Sequence, residues 1–331
     1  MKNQTKKILV TGGSGFIGSA LVKRLVKDGH YVRVLDNNIR GVESRLKSVT
    51  GSIDFIEGDI RDYNQVSKIC KGINIVHHLA YINGTEYFYT MPEKILEIAV
   101  KGMMNIIDAC KENKIKEMYV ASSSETYQTP ETVPTKETER LIVPDPLNPR
   151  YSYGGGKILW ELMAINFGRK YFDKVVIYRP HNVYGPDMGW EHVLPQFAVR
   201  MNQLIQESNS DIIDFPIQGS GHETRAFVFI DDFIDGVINL MEKGEHLNIY
   251  NIGTTDEIAI RSVAALVGKA FNKTIRLLPS AVSEGSTLRR CPDISKIKSL
   301  GYHPKTSLEV GIKILVDWYK SHSHEEQKIK I

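Results

Sequence analysis

Short apolar runs alternate with longer amphipathic stretches through the first half of the chain. Runs at 7–11, 31–35, 53–57, 75–79, 118–122 and 175–179 are mostly rich in Val and Ile and lack clean in-out alternation. That pattern predicts strands covered on both faces. Between them the apolar residues recur at helical spacing. Ile95, Ile98, Ala99, Met103, Ile106 and Ile107 mark one face of a predicted helix over 93–113, and Leu159, Leu162, Met163 and Ile165 mark another over 153–172. Strand and helix in alternation predict an α/β fold with a doubly wound parallel sheet. The stretch 129–149 holds five prolines and reads as an extended surface loop. After Arg179 the pattern becomes irregular. A smaller mixed α/β lobe is expected there, over about the carboxyl ends of the strands. The expected division is 1–180 for the sheet domain, 181–320 for the lobe, interleaved with the first, and 321–331 for a Lys/Glu-rich flexible tail.

Composition narrows the classes. The chain has 331 residues, 42% apolar and 24% charged, with a net charge of +3. So small a charge gives no reason to expect a nucleic-acid partner. No apolar run approaches the roughly 18 residues of a membrane span, and the N-terminal residues Met1 to Lys7 lack a signal-peptide apolar region. Cys70, Cys110 and Cys291 have neither disulfide-framework nor metal-ligand spacing, which suits a reducing cytosol; no metal and a cytoplasmic location are expected.

Candidate chemistry sits in two segments. Gly12, Gly15 and Gly18 follow the first strand and open a helix with Phe16 and Ile17. Missing side chains let the backbone approach a pyrophosphate, and the helix N-terminus offers free N–H groups. Asp36 ends the second strand, where a carboxylate accepts the ribose hydroxyls of NAD and repels a 2′-phosphate. A glycine-rich turn with a surface Asp is the plain alternative. Asp59 and Ile60 are expected to edge the adenine, and Leu79 and Ala80 to line the cofactor. Tyr153 and Lys157 stand one helical turn apart, so an ammonium is expected to lower the phenol's pKa and make it a base. Ser123 follows a strand and can hydrogen-bond a reacting oxygen.

These segments resemble the extended short-chain dehydrogenases/reductases of the nucleotide-sugar epimerase/dehydratase family. The likeness runs through Gly12/Gly15/Gly18, Asp36, Gly58-Asp59, Leu79-Ala80, Ser122 to Glu125, Tyr153/Lys157, the stretch Arg179-Pro180-His181-Asn182-Val183-Tyr184-Gly185-Pro186, and Arg289-Arg290-Cys291-Pro292-Asp293. It implies a Rossmann-type fold, NAD as cofactor, a nucleotide-diphosphate sugar as substrate and a homodimer formed through the helices over 93–113 and 153–172. It also implies Ser123, Tyr153 and Lys157 as catalytic residues, Lys157 also on the nicotinamide ribose and His181 near the nicotinamide. Asn182, Arg225 and Arg290 would hold the substrate's ribose or diphosphate; Arg289 and Arg290 are adjacent, and either is able to reach a phosphate. Asn83 and Val193 belong to segments expected to face the substrate.

The departures bear on the reaction. The family's Asn-Val-x-Gly-Thr reads Ala99-Val100-Lys101-Gly102-Met103, the Gly after Tyr127 is Gln128, and the Ser before the catalytic Lys is Gly156. Three consecutive glycines, Gly154 to Gly156, cost a helix about 1 kcal/mol each relative to Ala and predict a close approach there. Ser123-Ser124-Glu125 is similar to the Thr-Ser-Glu of GDP-mannose 4,6-dehydratases, and UDP-glucuronate decarboxylases have a similar Ser-Glu. Glu125 is therefore a C5 base, or a carboxylate that holds the turn or binds a sugar hydroxyl. His192 and Glu191 are further acid/base candidates, and Trp190 stacks on a sugar or packs in the core. The expected activity is C4 oxidation followed by epimerisation or dehydration. Net dehydrogenation, decarboxylation and a non-catalytic NAD-binding role are the alternatives.

Overall fold

The computed structural model describes residues 5–207, 210–280 and 288–323. Its first six strands are β1 (Lys7–Thr11), β2 (Tyr31–Asp36), β3 (Ile53–Glu57), β4 (Ile75–His78), β5 (Glu117–Ala121) and β6 (Lys174–Pro180). Further strands follow: β7 (Val183–Tyr184), β8 (Ile212–Gln218), β9 (Thr224–Ala226), β10 (Val228–Phe229), β11 (Asn248–Ile252), β12 (Glu257–Ala259), β13 (Thr274–Ser280) and β14 (Arg289–Arg290). The main sheet has seven parallel strands in the order β11-β6-β5-β4-β1-β2-β3. The chain runs outward from β1 to β3, then returns to β4 on the other side of β1. A crevice therefore opens at the carboxyl ends of β1 and β4, where strand order reverses. The six strands expected from hydrophobic pattern all form, within about a residue of their predicted limits. The seventh, β11, comes from beyond residue 180 and pairs with β6.

The helices are α1 (Phe16–Lys27), α2 (Tyr63–Ile69), α3 (Thr85–Thr90), α4 (Pro92–Glu97), α5 (Met103–Glu112), α6 (Ser152–Tyr171), α7 (Val193–Glu207), α8 (Ile230–Lys243), α9 (Ile260–Ala270), α10 (Ser295–Lys298) and α11 (Leu308–Ser321). Two cores form because neighbouring strand residues face opposite ways. Val10 and Val34 meet Leu21 of α1, Phe233 of α8 and Leu315 of α11. Leu9, Val76 and Val120 meet Ile106 of α5 and Trp160 of α6. The tail expected over 321–331 lies outside the described residues from 324 onward.

The helix predicted over 93–113 is interrupted by a π turn at Ile98–Gly102. This is where the sequence departs from the family's Asn-Val-x-Gly-Thr. Ile60 fills the space beside Gly102, where a side chain would collide with it at 2.3 Å. The Ala99 carbonyl in that turn accepts the indole N–H of Trp160 at 2.9 Å.

Three histidines are buried in or beside the sheet. His77 stacks on Tyr119, His78 accepts or donates to Thr11 Oγ1 at 2.7 Å, and His181 bonds Asn251 at 3.0 Å. Burial drives His77 and His181 down to about 3, and it holds His78 well below its usual value. All three stay neutral when folded but protonate near pH 6.5 when unfolded. Stability is therefore expected to fall as pH drops below about 6.5, by about 1.4 kcal/mol per pH unit for each imidazole. Chemical denaturation at pH 7, 6 and 5 checks this; a flat profile would contradict it.

Candidate functional site

The glycine loop lies where β1 enters α1. Gly12 has φ +75°, and a Cβ there would sit 2.7 Å from the Ala80 amide nitrogen, so only glycine lets β1 and β4 close together. The hydroxyl of Thr11 fastens that junction by accepting from the amides of Leu79 and Ala80 at 3.2 and 3.3 Å. Gly15 is the N-cap of α1 and supplies no side-chain cap, and the first turn of Phe16, Ile17 and Gly18 holds no acidic residue. The positive end of this helix is left open to an anion. Asp36 is buried at the end of β2, its two oxygens accepting from the amides of Ser14 and Asn38 at 3.0 Å each. An open helix start beside a fixed carboxylate suits the two ends of a dinucleotide's adenosine diphosphate.

The next two residues behave differently from one another. Asp59 is bound by Arg61 at 2.8 Å and Asn37 at 3.1 Å, and Arg61 first of all pulls its carboxyl down to about 2. Ile60 is buried against Gly102, so its side chain serves the core rather than an adenine edge.

At the carboxyl end of β5, Ser122 turns inward onto Glu161. Ser123 caps the short turn at Ser124–Thr126, its hydroxyl accepting from the Glu125 amide at 3.1 Å. The same hydroxyl works to lower the Tyr153 phenol, against the effect of burial. Tyr153, in the first turn of α6, is 7% exposed and packed between Phe88 and Tyr81. Burial pushes this phenol above its ordinary range, and the charge of Glu125 adds to the rise. The expectation that Lys157 lowers it is thus corrected. Lys157 donates to the Ala121 carbonyl at 2.7 Å and stands 5.9 Å from the centre of the Tyr153 ring. Burial lowers the amine as well, so each group is drawn toward its neutral form.

The three glycines of α6 are explained at two positions. A Cβ at Gly156 would lie 2.0 Å from the Tyr81 hydroxyl and 3.0 Å from the Ala99 Cβ. One at Gly154 would lie 2.5 Å from the Gln128 amide nitrogen. The side chain of Tyr81 and the departure at Gln128 occupy that space; Gly155 has only Val143 nearby, at 3.5 Å.

Arginines gather around Glu125. Arg290 donates to it at 2.6 Å, whereas the adjacent Arg289 turns outward to Glu257. Burial raises the Glu125 carboxyl, but Arg290, with Arg150 and Arg225 behind it, overcomes this and holds it below the usual range. Burial and the nearby Arg290 bring the Arg225 guanidinium down to about 10. Beside this group opens a cavity of about 530 Å³, lined by Asn182, Val193 and Arg225 together with Gln196, Phe197 and Arg200 of α7. Asn182 takes φ +42° and donates to the Ala226 carbonyl at 3.1 Å. Asn83 is exposed just after β4.

His181 is 1% exposed, and its ring is hydrogen-bonded to Asn251. Of the two readings of Trp190, the packing one describes what is seen: the ring meets Tyr319 edge-on at 4.9 Å and lies near Trp318, partly buried against the core beside α11. His192 is held neutral by burial and by Arg40. The sequence reading missed Gln196, Arg200, Arg150, Tyr81 and Trp160. For Tyr81 the available signal was Gly156, which marks the space Tyr81 fills.

Residues 8–253 match the model of the NAD dependent epimerase/dehydratase family. The chain belongs to that family. It is an NAD-dependent enzyme of nucleotide sugars. It is 30% identical to a UDP-N-acetyl-α-D-glucosaminuronate decarboxylase of Bacillus cytotoxicus, over 95% of this chain and 98% of the relative. Among solved structures it is similar to a UDP-glucose 4-epimerase of Thermotoga maritima, solved with UDP-glucose (TM-score 0.84, 28% identity, 96% of this chain and 99% of that one). It is also similar to a dTDP-glucose 4,6-dehydratase of Streptomyces venezuelae, solved with NAD (TM-score 0.83, 26% identity, 96% and 98%). The same fold thus carries three different outcomes. Among the described residues no helix is long and apolar enough to cross a membrane.

A double-mutant cycle tests the packing at α6. Gly156→Ala gains about 1 kcal/mol of helix propensity but overpacks against Tyr81, a cost of about 1–3 kcal/mol. Thermal unfolding is expected to show a clear loss in the native background that Tyr81→Phe relieves. Additive effects would mean the two residues do not compete for space.

Proposed function

We propose that the enzyme begins by oxidising the C4 carbinol of a nucleotide-diphosphate sugar and continues at C5. Bound NAD supplies the hydride acceptor. Gly12, Gly15 and Gly18 with the start of α1 seat its pyrophosphate, and Asp36 takes the adenosine ribose. Tyr153, as phenolate, accepts the hydroxyl proton, and Ser123 hydrogen-bonds the same oxygen. A buried phenolate needs a cation, and Lys157 is the one on its own helix face. Arg225 and Arg290 pair with the diphosphate, and the cavity beside Asn182 and Val193 holds the nucleoside.

The observation that carries the C5 step is Glu125, kept ionised by Arg290 beside Ser123 and Tyr153. An ionised carboxylate there is a base for the C5 proton once C4 is a ketone. Expulsion of the C6 hydroxyl as water leaves a 4-keto-5,6-ene, and return of the hydride to C6 with a solvent proton to C5 completes a dehydration with the cofactor regenerated. A second reading rests on the same arginines. Arg150, Arg225 and Arg290 can also hold a C6 carboxylate, which a 4-ketone makes ready to leave as carbon dioxide, and the Bacillus relative is a decarboxylase. A homodimer belongs to the same proposal. It is supported by exposed apolar side chains on adjoining helices, Leu96 on α4, Val100 in the π turn and Leu162 on α6.

Incubation with NAD and a panel of nucleotide sugars in deuterated water separates the outcomes. Deuterium at C5 with loss of water is the expected result for dehydration. Deuterium with loss of carbon dioxide means decarboxylation, an inverted C4 without deuterium means epimerisation, and stoichiometric NADH means net dehydrogenation. Tyr153→Phe is expected to leave NAD bound while lowering turnover at least about a hundredfold. Near-normal turnover in that variant would refute the base. Arg290→Gln is expected to shift the acid limb of the rate profile to higher pH. Burial alone raises Glu125, so without Arg290 the carboxylate protonates sooner as pH falls.

A further inference from the structure

Lys157 sits in aromatic surroundings that the reaction scheme does not use. Its ammonium nitrogen is 3.7 Å from the centre of the Trp160 ring system and 4.3 Å from the centre of the Tyr81 ring. Both lie within the range at which a ring face attracts a cation. The two rings meet edge to face at 4.8 Å. Trp160 is fully buried and held on two sides. Its N–H donates to Ala99 in the π turn, and His78 stacks on it at 4.2 Å. Tyr81 owes its position to the bare backbone of Gly156, and its buried hydroxyl has no hydrogen-bond partner among the described residues. The ring rather than the hydroxyl is therefore what Tyr81 contributes.

We propose that Tyr81 and Trp160 form an aromatic cage that keeps the buried Lys157 side chain in its ammonium form beside Tyr153, making both of them positioning residues for the reaction. This rests on Lys157 being the ammonium of the proposed function. The physical need is plain. Burial works against a charged amine here, and the other groups facing it give incomplete help. Glu161 on the same helix favours the charge, but its carboxylate is bound to Arg179. His78 stays neutral, through burial and the Lys157 charge, and so offers no counter-charge, and Tyr153 is an uncharged phenol until the reaction demands otherwise. The Ala121 carbonyl accepts one N–H. The quadrupoles of two rings supply negative potential without adding a titrating group. The departures at Ala99 and Gly156 act as one unit with Tyr81: the π turn anchors Trp160, and the missing side chain at 156 admits Tyr81.

The test titrates Lys157 directly, in the full-length chain carrying ε-¹³C-lysine, its signal assigned by loss in Lys157→Arg. The pH profile of turnover is measured alongside. Trp160→Leu is expected to move the Lys157 titration down by about one pH unit, a tenfold weaker hold on the proton. The alkaline limb of turnover is expected to move with it. Trp160→Phe keeps a ring face and loses the bond to Ala99, so its titration is expected to stay near that of the parent. Tyr81→Leu shifts in the same direction as Trp160→Leu and carries the test if the tryptophan variants fail to fold. An unmoved titration in the leucine variants overturns the cage. A shift in Trp160→Phe as large as in Trp160→Leu does so too, because the hydrogen bond would then be what matters. A moved titration with an unmoved rate profile would show that the reaction does not use the Lys157 charge. That result overturns the role of Lys157 itself, and the positioning role with it.

Discussion

Glu161 and Arg179 meet in a two-pronged ion pair with both side chains almost closed to water, at 3% and 2% exposure. The site is arranged around this contact. Glu161 belongs to α6, one turn beyond Lys157, and Arg179 belongs to β6. Glu161 also takes the hydroxyl of Ser122 at the end of β5. Arg179 donates to the Tyr127 hydroxyl at 2.6 Å, and Tyr127 passes the network to Asn251 of β11. Asn251 in turn donates to the carbonyls of Thr135 and Asp293. One buried charge pair thus joins the helix of Tyr153 and Lys157, three sheet strands, the proline-rich loop and the segment that follows Arg290. Removing either partner would strand a charge, at about 3–5 kcal/mol, whereas replacing both by well-packed apolar residues of similar volume is often neutral for stability. What the ions add is a defined position for every group bonded to them.

Around that frame the site sets burial against charge. Tyr153 and Lys157 are both pushed toward neutrality, and the residues that resist this are specific neighbours: Ser123 for the phenol, and Glu161 for the amine. Glu125 is pushed the same way, yet it remains ionised because Arg290 is 2.6 Å away. The site therefore keeps charge only where a partner has been placed for it. The mouth is treated more lightly. Arg45 meets Asp187 at 2.8 Å and Arg40 meets Glu191 at 3.0 Å, which ties the loop after β2 to the loop after β7. Partly exposed pairs of this kind contribute about 0–1 kcal/mol each.

Much of this was legible in the chain before folding. The strands that build the sheet, the glycine loop, Asp36, Ser123, Tyr153 and Lys157 are encoded locally. A buried parallel strand must be apolar on both faces, a phosphate loop must lack side chains, and a helix places residues four apart on one face. Such constraints act over a few residues and leave a readable pattern. The family assignment follows from them.

Tertiary packing decided the rest. The seventh strand, whose Asn251 is polar and buried, carries no strong local pattern and forms because β6 offers it an edge. At the π turn, Ile60 from another segment fills the space that a side chain at Gly102 would need. The direction of the Tyr153 shift, the inward turn of Arg290 against the outward turn of Arg289, the burial of His181 and the packing of Trp190 beside α11 all depend on distant residues. The sequence alone determined which chemical groups the protein has and on which elements they ride. Only the fold decided which of them meet and how far from water, because desolvation and Coulomb forces depend on distance in space and not on distance along the chain.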